Sequence, residues 1–476
     1  MTDSNDSALK TDCNPQALLF PELTSRPVVV DFQAGHVSND GGGVLLARLD
    51  QREGYLERFA RCFTDHRDPD LVEHTLEQLL RQRVYALALG YEDLNDHDRL
   101  CVDPLLASLC GKKDPLGQDR ARAKDKGKAL SGKSTLNRLE LTPAQADASA
   151  RYKKIVASAE GVEDFFIGEY VRSLPPETTA VTLDLDATDD PLHGHQEGRF
   201  FHGYYGGYCY LPLYIFDGDW PIVAWLRSSD RDASDGALGK VQKIVAALRH
   251  RFPNLQITLR ADSGFCRDRL MIWCELHGVF YLFGLARNSV LEGKLAAGLE
   301  KARQLSEQNA GAPARVFVEM TYRAGSWHAP RWVIGKAEWT QGEANPRFII
   351  TNKNPLHFQA QALYEQDYCG RGNMENRIKE QQLDLYADRT STESMRSNQL
   401  RLWFSTLAYL LLNQLRRLGL HGTQLARATC GTLRLRLLKI GALVRVSVRR
   451  VSVSLSSAYP LQELFALVAQ RLCRSG

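Results

Sequence analysis

The sequence predicts a mixed α/β fold with helical regions on either side of it. Three observations lead to this prediction. Residues 181–286 show three successive strands followed by a helix, a strand, a helix and a strand. Apolar residues recur at helical spacing before residue 110 and again between 356 and 418. The central sheet is therefore expected to be partly antiparallel and partly parallel.

Changes of pattern divide the chain into five stretches. A length of 476 residues allows roughly three domains, and Pro175-Pro176 marks the first boundary. The stretches are a helical N-terminal region (1–175, with 1–14 expected to be disordered), the first part of an α/β core (176–290), a β-rich insertion (291–355), the remainder of the core (356–420) and a basic C-terminal region (421–476).

Helical periods account for most of the N-terminal region. Residues 68–91 predict a helix that stops at Gly90, and Ser134 is the predicted N-cap of a short helix further on. A second amphipathic helix is expected near 143–172. The basic, Gly-containing stretch 111–133 is expected to be a mobile loop.

The elements of the core follow in order. Val181, Leu183 and Leu185 alternate with polar residues, as in a strand that is buried on one face. The other predicted elements are strands at 208–216, 221–227, 255–262 and 279–286, helices at 237–252 and 267–278, and a turn at 217–220.

Past this core the pattern changes again. Three strand candidates in a row predict an all-β insertion, at 314–324, 331–339 and 347–353. The apolar run 402–412 is about half as long as a bilayer span requires, so it predicts a buried helix. Near the C terminus an alternating stretch is interrupted at Arg449-Arg450, which predicts a bulge or a tight turn.

The distribution of charge indicates a polyanionic partner such as DNA. The net charge is only +4, but the chain from Arg396 to its end carries thirteen Lys or Arg residues and one acid. Residues 112–133 add eight basic residues and three acids. Separated basic patches suit DNA phosphates, although a solvated basic surface would have the same composition.

The cysteines and the N terminus indicate a cytoplasmic protein. Ten cysteines are scattered without CxxC pairs, which favours reduced thiols over a disulfide framework or a zinc site. The first residues are polar and contain no signal peptide. No membrane association is expected.

Carboxylates stand where the predicted strands end. Asp184 and Asp186 project from the face of their strand opposite to its leucines, and Asp262 ends the strand 255–262. Sites in open α/β sheets usually form at the carboxyl ends of strands. If both strands are central, Asp186 and Asp262 converge on a hard oxygen site that suits Mg²⁺. Turn-capping is the other interpretation, and we prefer it for Asp189 and Asp190.

A polar stripe further along the chain offers a third carboxylate. Read as a helix, residues 368–382 align five polar or polar-tipped side chains on one side: Tyr368, Arg371, Glu375, Lys379 and Gln382. Such a stripe can grip a phosphate with its cations and hold a metal with Glu375. A solvated helix face would show the same pattern.

In this order, the motifs resemble those of the DDE transposases of bacterial insertion sequences. The residues that match are Asp186 in Asp-Ala-Thr, Asp262 in RADSGF, and Tyr368, Arg371 and Glu375 of a Tyr-x2-Arg-x3-Glu-x6-Lys signature. The resemblance covers nearly the whole chain, and it is closest to the branch with a β-rich insertion before the third acidic residue. The sequence departs from the signature at its last position, which is Gln382. Lys379 is the candidate to supply the missing charge.

The resemblance implies a ribonuclease-H-like core and a two-metal mechanism without a covalent intermediate. Two Mg²⁺ ions, or Mn²⁺ in their place, would be held by Asp186, Asp262 and Glu375. Water would nick the element's end, and the freed 3′-hydroxyl would then attack, in relatives with this signature by way of a hairpin. The implied partners are terminal inverted repeats and target DNA, bound by a homodimer in the synaptic complex.

Other motifs support competing interpretations. GKALSGKS (127–134) fits the P-loop pattern, but no buried strand precedes it, so a nucleotide is not expected and Lys133 and Arg138 are assigned to DNA binding. Histidines in HGHQEGRFFH (193–202) lack the frame of a zinc site. Two further functions stay open: a transposon-derived DNA-binding protein that does not cut, and a structure-selective nuclease with the same core.

Overall fold

The computed structural model describes residues 17–20 and 23–473, so the disorder expected for residues 1–14 lies outside the described part. The N-terminal region is mainly helical. Its strands are β1 (Leu18–Phe20), β2 (Val28–Val30), β3 (His36–Ser38), β4 (Phe63–Asp65) and β5 (Ile155–Ala157), and its helices are α1 (Gly43–Glu53), α2 (Tyr55–Ala60), α3 (Leu76–Leu89), α4 (His97–Leu100), α5 (Pro104–Leu109), α6 (Lys133–Glu140) and α7 (Ala159–Ser173).

Capping decides where α3 begins. It starts at Leu76, eight residues after the predicted start at 68, because Thr75 caps it in a reciprocal pair of hydrogen bonds with Gln78. The helix ends, as predicted, at Gly90, which has the left-handed conformation that favours glycine (φ 93°).

Two other predictions in this region are wrong. The N-cap of α6 is Gly132 rather than Ser134, because Asp98 Oδ1 already accepts a hydrogen bond from the Lys133 amide at 3.0 Å. The helix expected near 143–172 begins only at α7, where the Ser158 hydroxyl accepts from the Gly161 amide at 3.0 Å.

The centre of the chain forms a nine-stranded sheet. Its first elements are β6 (Ala180–Ala187), β10 (Leu213–Asp217), β11 (Trp220–Trp225), β12 (Gln256–Ala261) and β13 (Phe280–Leu285), with a side sheet of β7 (Asp190–Pro191), β8 (Phe200–His202) and β9 (Gly207–Tyr210) and the helices α8 (Ala237–Arg251) and α9 (Asp268–Leu276). The strand order is β11-β10-β6-β12-β13. β10 and β11 are antiparallel to their neighbours, and β12 is parallel to both β6 and β13.

The predicted strand 208–216 is two strands. β9 belongs to the side sheet and β10 to the main sheet. Pro212, which has no amide hydrogen to donate, lies at the break between them. The alternating pattern continued across the break, so the pattern alone did not reveal it.

The three strands predicted for the insertion are confirmed, but the stretch is not all β. The stretch begins with a 20-residue helix, α10 (Ser289–Gln308), which Asn288 caps through the Leu291 amide at 3.1 Å. Its strands are β14 (Ala314–Tyr322), β15 (Arg331–Thr340), β16 (Glu343–Ala344) and β17 (Arg347–Thr351). They extend the main sheet beyond β13 in the order β17-β15-β14, because β17 pairs antiparallel with β13.

The remainder of the chain is helical apart from a terminal hairpin. Its helices are α11 (Ala360–Ala362), α12 (Gly372–Lys379), α13 (Met395–Gln414), α14 (Cys430–Leu433) and α15 (Gln462–Cys473), and its strands are β18 (Ala442–Val446) and β19 (Val451–Leu455). α13 is buried along most of its length, as predicted for 402–412. Arg449 and Arg450 lie in the tight turn of the hairpin, which confirms the prediction for that pair.

Apolar side chains cover both faces of the sheet. One contiguous core runs from Leu45 to Leu472 and joins the N-terminal helices, the sheet and α13. A smaller cluster lies on the opposite face of the sheet, where Leu282, Ile334 and Ile349 meet the segment that holds Ala360, Leu363 and Tyr364. This cluster packs residues 360–364, which precede the third predicted acid, Glu375, against the sheet.

Two general features complete the fold. Within residues 17–20 and 23–473, no helix is long and apolar enough to cross a membrane. The cysteines from Cys62 to Cys473 are free thiols.

Candidate active site

The alternation of β6 separates its leucines from its aspartates. Leu183 and Leu185 are fully buried in the main core, so Asp184 and Asp186 face the other side of the sheet. The parallel neighbour β12 sets Arg260 opposite Asp184 and Ala261 opposite Leu185. Asp262 follows Ala261 as Asp186 follows Leu185, so the register sets both aspartates at the carboxyl edge of these two strands. The predicted convergence of these two aspartates agrees with this register.

Asp184 is held by an arginine that the sequence analysis missed. Arg260 Nη2 donates to Asp184 Oδ2 at 2.7 Å, its Nε donates to the other carboxylate oxygen, and Asp184 is 1% exposed. Burial raises the pKa of Asp184, and the guanidinium of Arg260 opposes that shift. Arg260 also donates to the carbonyl of Asp367, just before Tyr368. The pair therefore anchors the third-acid segment to β6. The sequence did contain a sign of this pair, because Arg260 stands two residues before Asp262, just as Asp184 stands two residues before Asp186.

Asp186 is held by fewer hydrogen bonds than Asp184, and its pKa is strongly shifted. Burial raises its pKa to about 7; Arg371 opposes this shift, and Asp262 and Glu375 add to it. Its Oδ1 accepts a hydrogen bond from the next amide, that of Ala187, at 2.9 Å. A buried carboxyl whose pKa is raised further by two neighbouring carboxylates is typical of a site that favours cations.

The predicted stripe brings Arg371 between two of these carboxylates. Arg371 Nη2 lies 3.0 Å from Glu375 Oε1, and Nη1 lies 4.0 Å from Asp186 Oδ2. The three residues span β6 and α12, so the guanidinium links the third acid to the first.

Tyr368 approaches the same edge across a glycine. A Cβ atom on Gly284 of β13 would lie 2.6 Å from the Tyr368 hydroxyl and 2.9 Å from the amide nitrogen of Ser263, which follows Asp262. Only a residue without a side chain lets Tyr368 and the Asp262 turn approach β13 this closely.

The acidic residues suit a metal chemically, but they are not gathered around one position. Carboxylate oxygens are the ligands that Mg²⁺ prefers. Burial is the main cause of the raised pKa of Asp186, and the neighbouring carboxylates Asp262 and Glu375 add to it. Glu375, however, is paired with Arg371. Among the residues that the structure describes, no group of three His, Cys, Asp or Glu side chains is arranged to hold a metal ion.

The predicted DNA contacts on α6 have other partners. Lys133 Nζ lies 3.1 Å from Asn95 Oδ1 and 3.3 Å from Asp98, while Arg138 stacks 4.7 Å from the ring centre of Tyr152. Both belong to the N-terminal region. Before α6 the chain forms a short 3₁₀ turn, Ala123–Asp125, in place of the strand that a P-loop needs.

The last two residues of the polar stripe, Lys379 and Gln382, face different surroundings. Lys379 is exposed at the end of α12. Gln382 lies in a π-helical turn and points into the protein, where its Nε2 donates to the Asp189 carbonyl at 3.1 Å and to Asp190 Oδ1 at 3.0 Å. Asp190 is fully buried, and burial raises its pKa to about 8. The turn-capping interpretation of Asp190 is therefore wrong, because its carboxyl accepts a hydrogen bond from the Gln382 side chain in the protein interior.

The side sheet β7-β9-β8 is the other feature that the sequence analysis missed. It follows Asp186 directly, and its turn brings Tyr205 within the electrostatic influence of Asp189 and Asp186. His202, considered above as a zinc ligand, packs 4.9 Å from the Tyr205 ring. The density of aromatic residues between 200 and 210 was the available signal.

Comparisons with known proteins place the chain in a family. The family model described as Transposase DDE domain group 1 matches residues 20–476. Among solved structures, the cryo-EM structure of the piggyBac transposase synaptic complex with hairpin DNA matches at 11% identity and a TM-score of 0.41, over 91% of this chain and 82% of that one. No curated protein shows a significant match.

Proposed function

We propose that this chain, which belongs to the Transposase DDE domain group 1 family, cuts DNA at the ends of a bacterial insertion sequence and joins those ends to target DNA. The observation that carries the proposal is the edge of the sheet where Asp186 and Asp262 stand side by side and Arg371 reaches from Glu375 toward Asp186.

A ribonuclease-H-like core is part of this proposal. Its support is the strand order β11-β10-β6-β12-β13, in which an antiparallel hairpin precedes two strands parallel to β6. β17, β15 and β14 continue that sheet, and in this proposal they correspond to the insertion expected before the third acid.

The proposed metal ligands are Asp186, Asp262 and Glu375, with Mg²⁺ as the expected ion and Mn²⁺ as its substitute. When bound, the two ions would supply the charge that activates a water or 3′-hydroxyl and stabilises the leaving oxygen. For Glu375 to act as a ligand, its carboxylate must leave Arg371. Asp184 is paired with Arg260, so its carboxylate is not among the proposed metal ligands.

The cations around the site have separate tasks in the proposal. Arg371, released from Glu375, grips the phosphate to be cut through its paired N–H groups. Tyr368 borders the same position. Lys379 is exposed and one turn beyond Glu375, so we assign it to the DNA backbone. Lys133 and Arg138 contact the DNA ends further away, and two copies of the chain are expected to join two ends.

One observation favours a second candidate function. Because Glu375 is paired with Arg371 and no three potential ligands gather among the described residues, the site also fits a transposon-derived protein that binds DNA without cutting it. A structure-selective nuclease has no such specific observation in its favour.

Cleavage of DNA that carries the element's own ends tests the proposal. We expect specific cuts with Mg²⁺ by the wild-type protein, loss of cutting in Asp186→Asn and Glu375→Gln with DNA binding retained, and normal cutting in Glu177→Gln, an exposed control. Binding without cutting under Mg²⁺ and Mn²⁺ would favour the second candidate. Cuts in branched DNA that lacks these ends would instead favour the nuclease.

A further inference from the structure

The side sheet exposes aromatic rings beside the candidate active site. Phe201 is 60% exposed, Tyr204 87% and Tyr208 46%. Phe201 and Tyr208 are cross-strand partners whose ring centres lie 5.7 Å apart. Rings of this size are usually buried, so the exposure of three of them on one small sheet indicates a surface that binds a partner.

A cation completes this surface. The guanidinium of Arg199 stacks 4.5 Å from the ring centre of Tyr208. The stretch 191–210 has one acidic residue, Glu197, whose Oε2 accepts from the Met395 amide at 3.1 Å. Exposed rings with an arginine stacked on one of them suit a partner that is flat, aromatic and anionic.

The side sheet adjoins the strand that carries Asp186. β7 begins at Asp190, four residues after Asp186, and β9 ends at Tyr210, three residues before Leu213, which pairs with Ala187. At the turn of the side sheet, Tyr205 packs 5.0 Å from the exposed ring of Tyr204. On its other side, Ser229 donates to the carbonyl of Phe200 at 3.0 Å. Ser229 begins the loop whose Ala233 would contact a side chain at Gly264, next to the Asp262 turn. The exposed rings therefore border the position where DNA would be cut.

We propose that Arg199, Phe201, Tyr204 and Tyr208 form a stacking surface for unpaired bases of DNA next to the cut. This inference rests on the proposed function, because that function brings DNA to the neighbouring carboxylates. Bases in an intact duplex already stack on one another, so exposed rings can stack well only on bases that have lost their partners. Each such contact is sequence-tolerant, since every base has a π-face.

Binding of single-stranded DNA in EDTA tests the surface without any cleavage. The probe is a 12-residue oligodeoxythymidine with one 2-aminopurine, whose fluorescence is quenched by stacking. The full-length protein should quench it, and Phe201→Ala or Tyr204→Ala should each weaken binding by about 5- to 150-fold and reduce the quench. Tyr204→Phe keeps the ring and should bind normally. Phe32→Ala, an 83% exposed aromatic elsewhere, is the matched control.

The outcomes separate this inference from the proposed function. Unchanged affinity and quench in both alanine variants would overturn the stacking surface, whatever the protein does to DNA ends. Loss of quench in those variants would support it even if the wild-type protein cut no DNA. If the variants instead bind normally but change from dimer to monomer in solution, the rings form an interface between two copies and the inference is wrong.

Discussion

At the scale of single residues, Asp184 and Asp186 show how one strand face carries two different carboxylates. Both point away from the main core, but only Asp184 meets a guanidinium at full hydrogen-bonding distance. Burial raises the pKa of Asp186 to about 7, and the carboxylates of Asp262 and Glu375 add to this shift. The first carboxylate is satisfied by the protein, whereas the second is available to a ligand.

Removal of Arg260 is expected to destabilise the protein strongly. Arg260→Met leaves the buried carboxylate of Asp184 without its partner, which costs about 3–5 kcal/mol in comparable cases. The free energy of unfolding from urea titration measures this cost. Arg315→Met is the control, because Arg315 pairs with Glu365 at the surface with 55% of its side chain exposed and should cost less than about 1 kcal/mol. Equal small losses in both variants would contradict the anchoring role of Arg260.

The buried carboxyl of Asp190 predicts a pH dependence of stability. Its pKa is about 8 in the folded protein and about 4 in an unfolded chain. The folded state therefore holds this proton more tightly, so the group's contribution to stability falls as pH rises from about 4 to about 8. Asp190→Asn removes the titrating group and keeps an acceptor for Gln382. The stability of this variant relative to wild type should increase with pH across that window and level off above it, as measured by urea unfolding. A constant difference at all pH values would contradict the prediction.

Gln382, the position that departs from the family signature, is expected to act through Asp190. Gln382→Leu removes the donor to a buried acceptor and should lower the free energy of unfolding by about 1–3 kcal/mol. Gln382→Lys brings a cation to the same carboxyl and should lower its pKa, which weakens the pH dependence described for Asp190. Urea unfolding at pH 5 and pH 8 distinguishes the variants. Equal stability of the leucine variant and wild type would show that this contact contributes nothing.

At the scale of elements, Gly284 of β13 allows the segment that carries Tyr368 and Glu375 to approach that strand closely. Gly284→Ala would push the Tyr368 hydroxyl and the Ser263 amide from their positions, since both lie within 3 Å of the added carbon. We expect cleavage to fall sharply while DNA-end binding is retained. Gly293→Ala adds a methyl group on the exposed side of α10, where nothing lies within 4 Å, and should be neutral or stabilising by up to about 1 kcal/mol. Normal cleavage by the Gly284 variant would argue against a precise fit of Tyr368 at this edge.

The segment that carries Glu375 is unusual in its helical form. A π-helical turn at Leu363–Tyr368 precedes it, and another at Glu380–Asp384 follows it. Such turns are frequent at functional sites because they redirect side chains within a helix. Here Gln382 contacts Asp190 inside the protein while Lys379 is exposed. The π-helical turn thus accompanies the separation of two residues that a regular helix would align.

At the scale of the whole molecule, the C-terminal region is built into the N-terminal one. β18 pairs with β3, α15 packs on α1, and Lys439 Nζ lies 2.7 Å from the buried Asp40. These contacts join residues about 400 positions apart in the sequence. The basic C-terminal region is therefore part of the structure as well as a source of charge.

Truncation after residue 441 is expected to unfold more than the segment it removes. It deletes β18, β19 and α15, whose Val444, Val468 and Leu472 are buried. Circular dichroism and limited proteolysis should reveal loss of structure in the N-terminal helices. As a control, Arg445→Gln, Arg449→Gln and Arg450→Gln together remove exposed charges and should leave the fold intact. If the truncated chain unfolds as cooperatively as wild type and at the same temperature, the region is an independent appendage.

The sequence by itself determined the elements whose signals are local. Apart from the side sheet β7-β9-β8, the strand and helix order from 181 to 286 follows from periodicity. The burial of 402–412, the stop of α3 at Gly90 and the turn at Arg449-Arg450 also follow from periodicity or from one residue's backbone preference. The adjacent carboxylates Asp186 and Asp262 also followed, because parallel neighbours end at the same edge of a sheet. Only the tertiary structure decided the partners: Arg260 for Asp184, 76 positions away, and Gln382 for Asp190, 192 positions away. It also joined β17, β15 and β14 to the main sheet. Periodicity tells which face of an element is buried, but the residue that covers that face is chosen by packing across the whole chain.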